Sequence, residues 1–188
     1  MEINELIKTI EQQLAELKEQ AAQVAAKEKD DRPVTERVKT FEDALRELGD
    51  EHPLVEQWWD FEAIPYGSEA TRDIVDLVAY YKLRIITAAL NEGGESEFKD
   101  SEWRYWPYYW FYTKEAWEKL SDDEKKGGLF VASRANGSSS CGFAYLCAGN
   151  GPTTASAHCG SRLCYKNREL ALYSGRQFAE LWVDYYLI

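Results

Sequence analysis

Residues 127–165 form a stretch in which short runs of strand-forming residues alternate with small polar residues. The runs LFVAS, CGFAYL and GSRLCYK predict strands, and the segments RANGSSS and CAGNGPTTASAHC predict the connections around them. The second connection is long and must run over the surface. The pattern therefore predicts a small antiparallel sheet with exposed loops in this part of the chain.

The same stretch uses a restricted set of residue types. Its 39 residues contain no Lys, Glu, Gln, Trp, Met or Asp, although the first five types make up about a third of the remaining chain. Arg134 and Arg162 are its only charged side chains, so the acidic residues lie elsewhere. One interpretation is a Gly/Ser/Ala-rich meander with neutral loops. Such small, neutral side chains suit adaptable contacts more than catalysis.

The N-terminal residues 3–28 carry a heptad pattern that predicts a coiled-coil helix over residues 1–29. Isoleucine at both core positions favours three or more strands, so we expect a homo-oligomer and, among the options, a trimer. A helix folded back on its own domain is the alternative. Residues 30–36 are predicted to be a linker, because the polar segment KEKDDRP ends in proline. The seam consists of Ile3, Ile7, Ile10, Leu14, Leu17, Ala21 and Val24.

Residues 37–188 are predicted to be one α+β domain, in which helices frame the small sheet. Helices are expected from Thr35, over Val55 to Phe61, and after Asn167, where a single closing helix runs to the C-terminus. The run WRYWPYYWFY (103–112) either lines a groove that stacks sugars or bases, or seals the junction of helices and sheet; the second is favoured. The strongest helix of the domain carries a buried stripe of Ile74, Leu77, Val78, Tyr81, Ile85 and Leu90.

The charge and hydropathy of the chain restrict its partners. A formal net charge of −11 over 188 residues argues against nucleic acid, because proteins that bind phosphate backbones concentrate Lys and Arg. No apolar run is long enough to span a bilayer, so no membrane insertion is expected. The charged, amphipathic N-terminus does not resemble a signal peptide. These features predict synthesis in the cytoplasm, which is also compatible with release inside an assembled particle.

The cysteines do not have the spacing of a common zinc site. All four fall within residues 141–164 as C-x5-C-x11-C-x4-C, which lacks the close pairs of zinc ribbons and fingers. A metal site or reactive thiol that includes His158 is an open alternative, although no cofactor, metal ligand or catalytic residue is predicted. Small core or loop residues in a reducing compartment are the favoured interpretation.

The order of several short motifs in the restricted stretch resembles a known family. A turn at Asn136–Gly137, the sequence CGFA at Cys141–Ala144, a small-polar loop, and GSRL at Gly160–Leu163 resemble the C-terminal part of the C-type-lectin-like domain. The likeness is closest to the formylglycine-generating-enzyme-like branch, which variable proteins of diversity-generating retroelements use. The flanking segments resemble phage-associated hypothetical proteins of this architecture. No cysteine pair matches the copper site of the enzymatic branch, so enzymatic activity is not implied.

The resemblance implies a function and a set of positions. In this family a mutagenic reverse transcriptase randomises adenines in AAY-type asparagine codons, which can then encode none of Lys, Glu, Gln, Trp or Met. The implied function is a receptor- or ligand-binding protein that displays a hypervariable surface to a protein or glycan on a target surface. The alternatives are a structural virion or scaffold component and a Cys/His metal or thiol enzyme. The implied variable positions are Asn136, Gly137, Ser140, Tyr145, Cys147, Gly149, Asn150, Thr154, Ser156 and His158.

Overall fold

The chain divides into two compact units, Met1–Pro33 and Val34–Ile188. In the first unit, residues 7, 10 and 12–14 are helical, and Ile7, Ile10 and Leu14 are each about half exposed. The rest of the predicted heptad seam lies outside the described residues, so the coiled coil stays a prediction. The computed structural model describes residues 7, 10, 12–14, 30–62, 74–94, 101–125, 131–132, 141–152 and 161–186.

The second unit is an α+β fold with a small antiparallel sheet, as the sequence predicts. Its helices come before, between and after the strands, so that the sheet is flanked by helical segments. In chain order the elements are α1 (Val34–Arg37), α2 (Phe41–Leu48), α3 (Pro53–Glu62), α4 (Val75–Leu90), β1 (Trp103–Thr113), α5 (Lys114–Glu118), α6 (Asp122–Lys125), β2 (Val131–Ala132), β3 (Cys141–Pro152), a 3-10 turn (Ser161–Leu163), α7 (Arg168–Gln177) and α8 (Ala179–Tyr186).

Helix α4 forms the centre of the hydrophobic core. Leu83, Ile86 and Leu90 are fully buried on it, and the helix packs against both α2 and α8. Burial of each such side chain contributes about 1.5–3 kcal/mol to the free energy of unfolding.

Helix α4 is 16 residues long. No helix within the described parts of the chain combines the length and apolar character that crossing a bilayer requires.

Several buried polar groups of the core form a network around Ser174 on α7. The Tyr165 hydroxyl donates to Ser174 Oγ at 2.5 Å, and the indole Nε1 of Trp182 donates to the same oxygen at 3.2 Å. The Thr87 hydroxyl in turn donates to the Tyr165 oxygen at 3.0 Å. Because buried polar groups are costly without partners, this network fixes α4, α7 and α8 relative to one another.

The C-terminal segment forms two helices, whereas the sequence predicts a single closing helix. The side chain of Asn167 caps α7 as predicted, accepting a hydrogen bond from Leu170 N at 2.9 Å. At Phe178 the backbone leaves the helical region, with φ −114° and ψ 31°, and α8 begins at the next residue. Phe178, at this break, and Trp182, about one turn later, are both buried in the core.

Candidate functional site

Strands β1 and β3 form the part of the sheet that carries the candidate surface. They pair antiparallel along their whole length, from Trp103 opposite Pro152 to Thr113 opposite Cys141. The register has one irregularity, between Trp110 and Phe111. The short strand β2 pairs on the other side of β3, so the strand order is β1-β3-β2 and β3 is the middle strand.

Four of the ten predicted variable positions lie on β3. Tyr145 pairs with Trp110, Cys147 with Tyr108, Gly149 with Trp106, and Asn150 with Tyr105. Each of the four is therefore opposite an aromatic residue of β1. The other six positions lie outside the described residues: Asn136, Gly137, Ser140, Thr154, Ser156 and His158.

The predicted connection over residues 147–159 is wrong for its first six residues. Residues 147–152 continue β3, and the prediction for residues 153–159 lies outside the described part. The residue types here have low strand propensity, which explains the prediction of a loop. Pairing with the long strand β1 overrides that local preference, because strand formation depends more on cross-strand neighbours than on the backbone alone.

The predicted third strand over residues 160–166 is also wrong in its extent. Its described residues form a 3-10 turn at Ser161–Leu163, followed by a single bridge between Tyr165 and Tyr105. In that bridge, Tyr105 N donates to Tyr165 O at 3.0 Å and Tyr165 N donates to Tyr105 O at 2.7 Å. The segment thus covers only the Trp103 end of the outer edge of β1.

One face of β1 packs against the helices and anchors the sheet. The Tyr109 hydroxyl donates to the carbonyl oxygen of Gly175 on α7 at 2.9 Å. Its ring lies 6.2 Å from that of Trp182 and 6.1 Å from that of Tyr186, in tilted and edge-on arrangements. The interpretation of the aromatic run as a junction between helices and sheet is therefore confirmed for this face.

The opposite face of β1 is exposed at one end. Tyr108 and Trp110 are 36% and 52% exposed, and their rings contact each other edge-on with centroids 5.9 Å apart. Their partners on β3 are two of the predicted variable positions, Cys147 and Tyr145. The alternation of strand side chains brings both aromatic rings to the same side of the sheet. We name this pair of aromatic residues with their two partners the aromatic edge.

At the other end of that face, Trp106 is buried and lies directly over Gly149. A Cβ atom added at Gly149 would be 2.4 Å from Nε1 and 2.6 Å from Cε2 of the indole. Any side chain at this position therefore requires Trp106 to move. Neighbouring Asn150 is exposed and carries no such restriction.

The described cysteines are not assembled into a metal site. Cys147 is a half-buried free thiol on β3, whereas Cys164 is buried beside the Tyr165 bridge. Within the ranges that the structure describes, no three His, Cys, Asp or Glu side chains are grouped as metal ligands would be. His158 and Cys159 lie outside those ranges.

The aromatic run itself was the sequence signal for the aromatic edge. Without the strand register, the sequence could not show which of its side chains face the helices and which face solvent. The geometry offers exposed aromatic area and one thiol, which suit contact with another molecule. In comparisons with known proteins, no family model, no curated protein and no solved structure matches this chain.

Proposed function

We propose that this protein is a binding protein whose ligand surface is centred on β3 and the aromatic edge. The observation that carries the proposal is the register, which sets Tyr145 and Cys147 opposite the exposed Trp110 and Tyr108. Tyr145 and Cys147 are residue types that a randomised asparagine codon can encode. They lie next to an aromatic pair that includes Trp110, and such a codon never encodes Trp. A fixed aromatic pair would provide affinity while its neighbours provide specificity.

The finer fold assignment is part of the same proposal. We assign the sheet region to the C-type-lectin-like fold and interpret residues 127–165 as the segment diversified by a retroelement. The antiparallel pairing of β1 with β3 and the flanking helices support that assignment. The absence of Lys, Glu, Gln, Trp and Met from the segment supports the codon mechanism.

The ligand in this proposal is a protein or a glycan on a target surface. Tyr108 and Trp110 present two large rings, and exposed aromatic rings bind both sugar faces and apolar protein side chains. Residues 127–165 carry no carboxylate and no lysine, so binding would depend on packing and neutral hydrogen bonds. Such binding should be less sensitive to salt than binding between charged surfaces.

Homo-oligomerisation through residues 3–28 would strengthen such contacts. Ile7, Ile10 and Leu14 follow the heptad spacing and are each about half exposed in the single chain, so a second and third copy of the helix would remove apolar area from water. Linked sites raise the effective concentration of each further contact. Ile10→Asp should convert the oligomer to a monomer in sedimentation equilibrium, whereas Gln13→Asp, with the same charge change beside the seam, should not.

The binding surface can be tested with two matched tryptophans. Trp110 and Trp59 are 52% and 48% exposed, but Trp59 lies on α3 and outside the aromatic edge. On an array of bacterial surface glycans and surface proteins, Trp110→Ala should lose about tenfold or more in affinity for any ligand found, because central aromatic residues dominate binding. Trp59→Ala should bind as the wild type does. Equal losses in both variants would contradict the proposed surface.

The diversification mechanism has its own test in the genome. A reverse-transcriptase gene and a near-identical repeat of the 127–165 coding region should lie close to this gene. Sibling sequences from one locus should differ mainly at the ten positions predicted above. If neither the gene nor the repeat is present, the protein is better described as a structural virion or scaffold component.

A further inference from the structure

A cavity on the helical side of the second unit is lined by basic residues in an acidic protein. Its volume is about 470 Å³, and it lies between the start of α3, the C-terminal half of α4 and the 3-10 turn. Among the described residues, the charged or titratable side chains in its lining are Arg84, Arg162 and His52, with no Asp or Glu. The four predicted variable positions that the structure describes do not line it.

The two arginines have no partner of their own within the described part of the chain. The Nε atom of Arg84 is buried and makes no hydrogen bond there, although the guanidinium lies 6.0 Å from the ring of Tyr80. Arg162 is exposed on its turn and makes no ion pair with a described carboxylate. By contrast, Arg37 of the same unit is paired with both Glu47 and Glu92. Neither Arg84 nor Arg162 is neutralised by a described carboxylate, so both guanidinium groups can serve an anionic ligand.

The residues around the cavity hold the arginines in position. Arg84, Ala88 and Asn91 follow helical spacing along one face of α4, and all three line the cavity. The Asn91 side chain donates to Cys164 O at 2.9 Å and accepts from Lys166 N at 3.0 Å. Through these two hydrogen bonds, Asn91 holds the segment that follows Arg162 against the end of α4. This contact places Arg162 at the cavity.

His52 adds a further donor. Its Nδ1 accepts a hydrogen bond from Leu54 N at 3.2 Å, which assigns the proton of the neutral imidazole to Nε2. The N-terminus of α3 adds about half a unit of positive charge, and the C-terminus of α4 adds about half a unit of negative charge. These two contributions nearly cancel. Among the described lining residues, the two guanidinium groups are therefore the main source of positive charge.

We propose that this cavity binds a small organic phosphate of sugar size. Two guanidinium groups, with no carboxylate among the described lining residues, match a phosphate dianion better than a single carboxylate, and arginine binds phosphate oxygens in a fork. The volume exceeds that of bare phosphate and lies within the usual range of about 300–1,000 Å³ for small-molecule sites. Pro53, Leu54 and Ala88 offer apolar surface to the body of the ligand, and the described lining contains no Phe, Tyr or Trp that could stack a nucleotide base.

The proposal is independent of the aromatic edge and is tested on the full-length chain by titration calorimetry at constant ionic strength. Glucose 6-phosphate should bind saturably in the millimolar range or tighter, inorganic phosphate should bind more weakly, and glucose should not bind. Arg84→Gln and Arg162→Gln should each weaken binding about ten- to hundredfold. Arg176→Gln removes an exposed arginine of α7 that does not line the cavity, and should bind as the wild type does.

Several outcomes would overturn the proposal. The proposal fails if glucose 6-phosphate does not bind saturably, or if glucose or inorganic phosphate binds as tightly as glucose 6-phosphate. It also fails if Arg176→Gln loses as much affinity as the Arg84 and Arg162 variants. Because Arg84 is partly buried, its variant could fail to fold; the exposed Arg162 then carries the test alone. In the wild type, amide resonances of Gly93 and Gly94 should shift on titration, since both residues line the cavity. Unchanged resonances at both would place the ligand elsewhere.

Discussion

Gly149→Ala tests the packing of Trp106 on β3 directly. The new Cβ atom would lie 2.4 Å from Nε1, 2.6 Å from Cε2 and 3.1 Å from Cζ2 of the indole. Apolar heavy atoms are most stable at about 3.5–4.0 Å, so the ring must move by roughly 1 Å or the strand must bend. Trp106 is buried, and neither movement is free in a packed interior.

The expected loss of stability follows from two opposing effects. Overpacking of this kind costs about 1–3 kcal/mol. Replacing glycine restricts the unfolded chain and returns about 0.4–1 kcal/mol. The difference between the two ranges is about 0–2.6 kcal/mol, so Gly149→Ala should lower the free energy of unfolding by about 1.3 kcal/mol at the middle of that range, and larger side chains at Gly149 should lower it further.

Urea denaturation followed by tryptophan fluorescence measures this change for the second unit alone, because all seven tryptophans follow Val34. Asn150→Ala, at the exposed neighbouring position, should stay within about 0.5 kcal/mol of the wild type. In a Trp106→Leu background the cost of Gly149→Ala should largely disappear, giving a coupling energy of about 1 kcal/mol. A Gly149→Ala protein as stable as the wild type, with no coupling energy to Trp106→Leu, would refute the packing of Trp106 on Gly149.

Two further substitutions test the core network and an ion pair. Ser174→Ala removes the oxygen that accepts from both Tyr165 and Trp182, so it should cost about 2–4 kcal/mol by urea denaturation, whereas Ser101→Ala, at an exposed serine, should cost little. Glu92 is held by hydrogen bonds from Lys166 foremost, which lower the pKa of its carboxyl. Its stabilising effect is therefore present above the unfolded-state pKa of about 4.3 and is lost as the pH falls through the lower folded-state value, so wild type and Glu92→Gln should differ at pH 7 and converge near pH 3.

The helices were largely predictable because their signals are local. The stripe from Ile74 to Leu90 predicts α4, and Asn167 predicts the start of α7. What periodicity could not show is how many neighbours a helix has. Leu77 was expected inside and is 52% exposed, whereas Ile86, outside the predicted stripe, is fully buried. Helix α4 packs against α2 on one side and α8 on another, and a single stripe cannot describe burial on two sides.

The candidate sites were less predictable because they depend on contacts between distant segments. Residues 147–152 are a strand only because residues 103–108 pair with them. Likewise, Arg84 and Arg162 are far apart in the sequence and share no motif, yet both line one cavity. A sequence pattern could indicate the aromatic run and the unusual alphabet, but not which aromatic rings remain in solvent.

The register separates positions that the codon rule alone treats as equal. Asparagine-codon arithmetic predicts variation at Cys147, Gly149 and Asn150 alike. Packing does not predict equal variation at the three positions. Asn150 is exposed and Cys147 is half-buried, whereas Gly149 lies under Trp106. If a retroelement diversifies this strand, sibling proteins that fold should vary freely at Asn150, vary with restriction at Cys147, and retain glycine at 149. Siblings with large residues at 149 and an unchanged Trp106 would show instead that the indole moves aside readily, and would make that position part of the ligand surface.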